Sequence, residues 1–335
     1  RACRIETKVN KDGSKQLAPD NAVFTRFEQR LKEHRDLLED IFKKLRDELK
    51  NELPDLGESL ALDGKIIEAY AKRPSKKQKE DGRRDTDATY TKKTYTNHLS
   101  NGQTIEKSYT YFGYRIHLIV DTTYELPVLF RVTPANESER TVAKAMLDDD
   151  FPNWLKERAL YLMADRGYDG RPLQEKIENN GIIPIIDIIN HWNGDVTKQY
   201  KETDFVYNYQ GAVFYITDQG KAVKAHYKGY HKASNSLRYE THPKDGVGVK
   251  RVAIKRDTDP RVFNQVGRDS LKFERLYKRR TAVERVNGRL DRDYGFELHT
   301  IRGLDKMSLY VTTSFILMLG KKKVDLQRSA HQKAA

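Results

Sequence analysis

The chain has 335 residues, 37% of them hydrophobic and 33% charged, so it can bury a core beneath a heavily solvated surface; its length predicts about two domains. Lysine and arginine number 62 against 49 acidic residues, and this net charge of +13 favours a polyanionic partner, most simply nucleic acid. The single cysteine, Cys3, excludes a disulfide scaffold and a zinc ribbon and indicates a reducing compartment. The longest apolar run, residues 310–319, is shorter than the roughly 18 residues that span a bilayer.

We expect residues 1–57 to form an N-terminal helical segment. From Phe24 to Leu49, apolar residues recur at helical spacing opposite a charged face, which predicts one amphipathic helix of about 28 residues that ends before Pro54. We interpret it as a packing or dimerisation helix, with DNA contact as the alternative. The sequence begins with Arg1 instead of methionine, which leaves open whether a DNA-binding module precedes it.

Residues 58–190 alternate between strand and helix patterns. Strands are predicted at residues 60–70, 114–120, 126–133, 159–163 and 182–189, with helices at 137–147 and between Pro172 and Gly181. This order predicts an α/β fold with a mixed sheet flanked by helices.

A polar stretch at residues 72–108 separates the first two predicted strands and is predicted to be a loop. It begins with a cluster of basic side chains, namely Lys72, Arg73, Lys76, Lys77, Lys79, Arg83 and Arg84. Such a cluster is either a solvated loop or a phosphate-contacting arm. On a basic protein, Lys76, Lys77, Arg83 and Arg84 are therefore candidate DNA-binding residues.

Residues 191–270 interrupt the pattern and are predicted to be a β-rich insertion with a hairpin at 205–217. Its many tyrosines either form a small core of their own or present a platform to DNA. We then expect a basic helix at 271–293, an apolar closing helix at 308–319 and a basic tail at 321–335.

Three acidic residues fall where a catalytic site can be assembled. Asp63 lies in the first predicted strand, Asp165 ends a later strand, and Glu284 lies on the basic helix. Carboxylates at a sheet edge can bind divalent cations, which prefer oxygen ligands. Tyr277, Arg280 and Glu284 are spaced so that all three project from one face of this helix, and the arginine could bind a phosphate or neutralise the glutamate.

These residues resemble the DDE transposases of bacterial insertion sequences, which have a ribonuclease H-like catalytic core. The resemblance covers roughly residues 58–320. Its motifs are Ala61-Leu62-Asp63-Gly64, Phe112-Gly113-Tyr114-Arg115, Thr133-Pro134-Ala135-Asn136, Met163-Ala164-Asp165-Arg166-Gly167-Tyr168-Asp169-Gly170, and a Tyr-x2-Arg-x3-Glu signature formed by Tyr277, Arg280 and Glu284. It implies that residues 58–190 and 271–320 form one catalytic domain.

The resemblance also implies a mechanism. Asp63, Asp165 and Glu284 would bind two Mg²⁺ ions, with Mn²⁺ as a substitute, for cleavage at transposon ends and 3′-hydroxyl strand transfer into target DNA. Arg280 would position a phosphate, and Tyr277 would stack on or hydrogen-bond the DNA end. The implied partners are double-stranded DNA and a second copy of the chain, in the bacterial cytoplasm at the nucleoid.

One position departs from the pattern and several alternatives stay open. Many members have Lys or Arg seven residues after the glutamate, whereas this chain has Asp291, which we expect to repel phosphate.

Other acids lie near the motifs, namely Asp85, Asp87 and Asp169, and Asp87 is the main competitor of Asp63 as the first catalytic aspartate. Glu137 and Glu139 are expected to cap the helix that follows them. A metal cluster of His226, His231 and His242 is disfavoured against solvated or DNA-contacting histidines. The alternative functions are a nuclease without strand transfer and an inactive, domesticated DNA-binding protein.

Overall fold

The structure, a computed structural model, describes residues 21–71, 85–98, 104–192, 194 and 196–334. The candidate DNA-binding residues Lys76, Lys77, Arg83 and Arg84 lie outside the described residues.

A mixed sheet carries the predicted catalytic residues. Its strands are β1 (Ser59–Glu68), β2 (Thr89–His98), β3 (Thr104–Asp121), β4 (Leu126–Pro134), β5 (Tyr161–Ala164) and β6 (Ile183–Ile186). The core order is β4-β3-β1-β5-β6: β4, β3 and β1 pair antiparallel, whereas β1, β5 and β6 pair parallel. β2 extends the sheet by pairing with the first half of β3. The predicted fold class, a ribonuclease H-like mixed sheet, is confirmed.

Helices cover both faces of this sheet. They are α1 (Asn21–Glu33), α2 (Arg35–Glu52), α3 (Glu139–Ala145), α4 (Asn153–Arg158), α5 (Arg171–Asn179), α6 (Leu271–Lys278), α7 (Thr281–Tyr294) and α8 (Leu304–Ala334). Alternation along β1 divides the core, since Ala61 and Ile67 pack with α2, α7 and α8, whereas Leu60 and Leu62 pack with α3, α4 and α5. Asp63 is two residues from Ala61 and therefore lies on the same face of β1, towards α7.

A second, antiparallel sheet lies within residues 191–270. Its strands pair in chain order: β7 (Lys198–Gln199), β8 (Phe205–Tyr207), β9 (Val213–Ile216), β10 (Ala222–His231), β11 (Ser236–Thr241) and β12 (Arg251–Lys255). Tyr200, Tyr207 and Tyr239 are buried together with Phe263 in a separate core. The aromatic core predicted for the insertion is confirmed, and these buried rings cannot serve as a stacking platform.

The predicted loop at residues 72–108 is wrong within its described part. Residues 89–98 and 104–113 form a β2–β3 hairpin instead. Thr89–His98 is rich in threonine and tyrosine, which favour strands, but it lacks the apolar alternation that reveals a half-buried strand. A ribbon that is polar on both sides gives no periodic hydrophobic signal.

Two of the predicted helices are broken in the structure. The first is divided at His34 into α1 and α2, and α1 contacts α8 through the exposed ion pairs Glu28–Lys306 and Lys32–Asp305. The helix predicted at 271–293 is divided between α6 and α7, because each half packs on a different apolar cluster. Neither break contains the proline or glycine that would reveal it in the sequence.

The closing helix α8 runs on to Ala334, so the predicted basic tail at 321–335 is helical as far as the structure describes it. Of the helices in the described ranges, α8 included, none is both long and apolar enough to cross a membrane.

Candidate active site

Asp63 and Asp165 lie beside each other because they are carried by neighbouring parallel strands. In the β1–β5 register, Leu62 is opposite Ala164, and each aspartate is the next residue along the chain. Asp165 directly follows β5 and caps a short 3₁₀ turn, accepting the Gly167 N–H at 2.8 Å. The carboxyl ends of parallel strands meet at one sheet edge, so this pair occupies the edge at which the sequence placed it.

The environment of Asp63 opposes its negative charge. Burial raises the pKa of its carboxyl, and Asp165 raises it further, although the Gly64 N–H, Lys93 and Arg280 act in the opposite direction. Asn287 Nδ2 on α7 approaches Asp63 Oδ2 at 3.4 Å. A partly desolvated carboxylate beside a second acid is the arrangement that a bound cation relieves.

Glu284 lies on the same side of β1, in the first turn of α7. α7 is fixed against β1 and β3 by the buried Val283 and Val286. The Glu284 carboxylate is half-exposed and accepts a hydrogen bond from Arg280 Nη2 at 2.7 Å. In the structure, Arg280 therefore neutralises Glu284.

Arg280 is also within electrostatic reach of Asp63. Burial would lower the pKa of its guanidinium, but Glu284, Tyr277 and Asp63 raise it above its ordinary value. The guanidinium carbon lies 5.8 Å from the centre of the Tyr277 ring. The Tyr-x2-Arg-x3-Glu residues are thus neighbours even though the helix is broken between them.

Glu139 is a residue of this edge that sequence reasoning missed. It was expected to cap α3, as was Glu137, but Ser138 is the cap residue, accepting the Thr141 N–H. Glu139 Oε1 instead lies 3.2 Å from Arg115 Nη1. Burial raises the pKa of the Glu139 carboxyl. Arg115 and Lys93 lower this pKa, whereas Asp165 and Asp63 raise it further. The only sequence signal is an acid that follows a buried strand in the first turn of a helix.

The competing acids have structural partners. Asp87 accepts hydrogen bonds from the Tyr114 hydroxyl and the Leu304 N–H at the start of α8, both at 2.7 Å, so the alternative that placed it in the site is wrong. Asp85 accepts the Gly303 N–H at 2.6 Å. Asp169 is fully buried in an ion pair with Arg261 at 2.6 Å.

Asp291 is paired as well. Its Oδ2 lies 2.7 Å from Lys65 Nζ, two residues beyond Asp63 on β1. Lys65 offsets the charge of Asp291 in the structure, and the effect of Asp291 on a DNA phosphate stays a prediction.

The residues of this edge fit a divalent cation in their chemistry. In the described part of the chain, no three His, Cys, Asp or Glu side chains converge closely enough to hold a metal ion as they stand. The donor set nevertheless suits a hard cation, since Asp63, Asp165, Glu139 and Glu284 supply only carboxylate oxygens. Because no three of these carboxylates converge as they stand, their side chains must reorient to share a cation, and Glu284 must in addition leave Arg280.

The sequence of this region matches a known family: residues 57–319 match the family described as Transposase DDE domain. The chain belongs to the transposase DDE domain family. This DDE domain is also similar to the piggyBac transposase in a cryo-EM structure of its synaptic complex with hairpin DNA. The TM-score is 0.32 and the identity 8%, over 78% of this chain and 47% of that one. The chain thus spans about half the length of that transposase. No curated protein sequence matches it.

Proposed function

We propose that this DDE domain is a DNA transposase that cleaves at the ends of a bacterial insertion sequence and joins the freed 3′-hydroxyl to target DNA. The observation that carries the proposal is the adjacency of Asp63 and Asp165 on parallel strands, with Glu284 on the helix that packs over the same sheet. Family membership supports it.

In this proposal Asp63, Asp165 and Glu284 hold two Mg²⁺ ions, or Mn²⁺ ions in their place. When bound, such cations activate a hydroxyl for attack and stabilise the departing 3′-oxygen. Water first replaces the 3′-oxygen at phosphorus, leaving a 3′-hydroxyl and a 5′-phosphate. That hydroxyl then attacks a target phosphodiester and releases a target 3′-hydroxyl, so both steps are in-line phosphoryl transfers without a protein nucleophile.

The basic residues have two roles in this scheme. Arg280 exchanges Glu284 for a DNA phosphate, which frees the glutamate for the cation and places the phosphate beside Asp63. Tyr277 supports the DNA end next to that guanidinium. Lys76, Lys77, Arg83 and Arg84 contact the duplex backbone, and the net charge of +13 supports a duplex partner. Two DNA ends require two active sites, so we propose a homodimer on DNA.

The test is a Mg²⁺-dependent cleavage and joining assay on duplexes that carry the sequences flanking the gene. The wild type is compared with Asp165→Asn and with Asp218→Asn, a matched change in an exposed turn of the second sheet. We expect cutting and joining by the wild type and Asp218→Asn, and neither reaction by Asp165→Asn. Cutting without joining would replace the proposal with a nuclease, and DNA binding without any turnover would replace it with an inactive DNA-binding protein.

A further inference from the structure

A second group of side chains approaches Asp165 from the α3 side of β1, opposite α7. Glu139 opens α3 and reaches towards both Gly64, the residue after Asp63, and Gly167, two residues after Asp165. The two strands that position the aspartates therefore bring a third acid to the same edge.

The glycines at these two positions leave the space that Glu139 occupies. A Cβ on Gly64 would lie 2.6 Å from Glu139 Oε1, closer than real Cβ contacts come. A Cβ on Gly167 would lie 2.9 Å from Asp165 Oδ1 and 3.7 Å from Glu139 Oε2. The carboxylates of Glu139 and Asp165 thus face one cradle that any larger residue would fill.

Tyr168 supplies a second, independent indication that something binds in this cradle. Its side chain is 1% exposed, and its hydroxyl is buried without a hydrogen-bond partner in the structure. Burial raises the pKa of this hydroxyl, and the negative charges of Glu139, Asp63 and Asp165 raise it further. A buried hydroxyl without a partner is rare in folded proteins, so the hydroxyl of Tyr168 is available to a ligand.

Arg115 holds Glu139 in this orientation. Its side chain is 8% exposed, and its guanidinium is fixed by the Glu137 carbonyl at 3.3 Å and the Thr91 hydroxyl at 3.1 Å. Because Arg115 contacts Oε1, the other oxygen of Glu139 is the one presented to the cradle at Gly167. A carboxylate that binds a metal is commonly held in orientation by a hydrogen bond to one of its oxygens, which leaves the other oxygen for the ligand.

We propose that Glu139 is a fourth carboxylate of the site. Before DNA binds, its side chain and those of Asp63 and Asp165 reorient to hold a divalent cation, because these three do not converge on one point as they stand, while Glu284 is still paired with Arg280. The inference rests on the proposed function, because it concerns the same cation site. Hard divalent cations such as Mg²⁺ and Mn²⁺ are the ligand class, since the donors are carboxylate oxygens and one hydroxyl.

Calorimetric titration of the DNA-free chain with Mn²⁺ tests this order of binding. Glu139→Gln keeps the size and the acceptor for Arg115 but removes the charge, and we expect it to weaken Mn²⁺ binding by about tenfold or more. We expect Glu284→Gln to leave the affinity within about twofold in the absence of DNA. Glu137→Gln, a neutralised neighbour on the exposed side, is the matched control and should also leave it unchanged.

Three results would overturn the inference: wild-type affinity in Glu139→Gln, an equal loss in Glu284→Gln, or no Mn²⁺ binding to the DNA-free wild type. Urea unfolding establishes whether each variant is folded. If Glu139→Gln does not fold, Glu139→Asp takes its place, because it keeps the charge but withdraws the carboxylate by one methylene. We expect Glu139→Asp to bind Mn²⁺ more weakly than the wild type. An unchanged Mn²⁺ affinity would refute the role of Glu139 in the cation site.

The outcome for the cation site is separable from the outcome for transposition. A wild type that binds Mn²⁺ through Glu139 but does not join DNA would retain this inference and refute the proposed function. If the wild type joins DNA but Glu139→Gln binds Mn²⁺ as tightly as the wild type, the proposed function is retained and this inference is refuted.

Discussion

Replacing Gly64 with alanine should disable the site while leaving the fold intact. The added methyl would lie 2.6 Å from Glu139 Oε1, whereas ordinary contacts begin at 3.4 Å. The carboxylate must therefore retreat by about 0.8 Å, a displacement that its flexible side chain can absorb. Misplacing a catalytic group by about 1 Å can cost about 100-fold in rate, so we expect DNA cleavage to slow by about 10- to 100-fold.

Stability should respond far less than activity. Only the end of one side chain must move, so we expect the free energy of unfolding of Gly64→Ala to fall by less than about 1.5 kcal/mol. Gly113→Ala on β3 is the contrasting variant, because its Cβ would lie 2.1 Å from the Ile67 carbonyl oxygen and 2.7 Å from the Ala69 nitrogen. Backbone atoms cannot move aside in this way, and we expect a loss of about 3 kcal/mol or more there.

The two variants are compared by urea unfolding, by Mn²⁺ titration and by initial cleavage rate. Wild-type cleavage and Mn²⁺ affinity in Gly64→Ala would refute the argument that Glu139 has to occupy this position. A stability loss in Gly64→Ala as large as that in Gly113→Ala would show that the cradle is part of the packed core and not a site.

Three further predictions follow from single contacts. In a double-mutant cycle, Lys65→Met and Asp291→Asn should show a coupling of about 1 kcal/mol in unfolding free energy; additive effects would mean that the pair does not form in solution. His117 should remain neutral when folded, because burial and two neighbouring arginines lower its pKa to about 3. Below pH 6.5 only the unfolded chain gains the proton, so stability should fall with decreasing pH by up to about 1.4 kcal/mol per unit, and His117→Gln should flatten this dependence in urea titrations. Tyr168→Phe should raise cation-free stability by about 1–3 kcal/mol, because it removes a buried hydroxyl that has no partner; a loss above about 2 kcal/mol would show that a partner exists.

The strands that carry the aspartates could be predicted because buried strands leave a strong signal in the sequence. Short apolar runs reveal β5, β6 and the beginning of β1, and Asp165 is conspicuous because it directly follows such a run, whereas Asp63 interrupts one. The β2–β3 hairpin leaves no such signal, because its residues are polar on both sides. Residues 89–98 and 104–113 pair with each other, and without an apolar alternation only the weaker preference of threonine and tyrosine for strands indicates the ribbon.

Glu139 escaped sequence reasoning for a different reason. Among 49 acidic residues, nothing local separates an acid that faces a site from one that faces solvent. What selects Glu139 is the register of β3 and β4, which carries α3 across the edge of β1, together with the absence of a side chain at Gly64. Both are consequences of the assembled sheet.

Arg280 shows how a spacing argument can succeed for a reason other than the one given. The residues Tyr277, Arg280 and Glu284 were assigned to one face of a continuous helix, yet the helix breaks at Arg279 and Arg280. The three residues remain close because the break is a single tight turn, in which the Arg280 N–H donates to the Tyr277 carbonyl at 3.0 Å. Glu284 also still lies one helical turn beyond Arg280. The break also gives the two halves separate anchors, α6 on β5 and β6 and α7 on β1 and β3. The arginine is therefore located where the two anchors meet, between the glutamate it neutralises and the aspartate it attracts, and this is the position from which a DNA phosphate could displace Glu284.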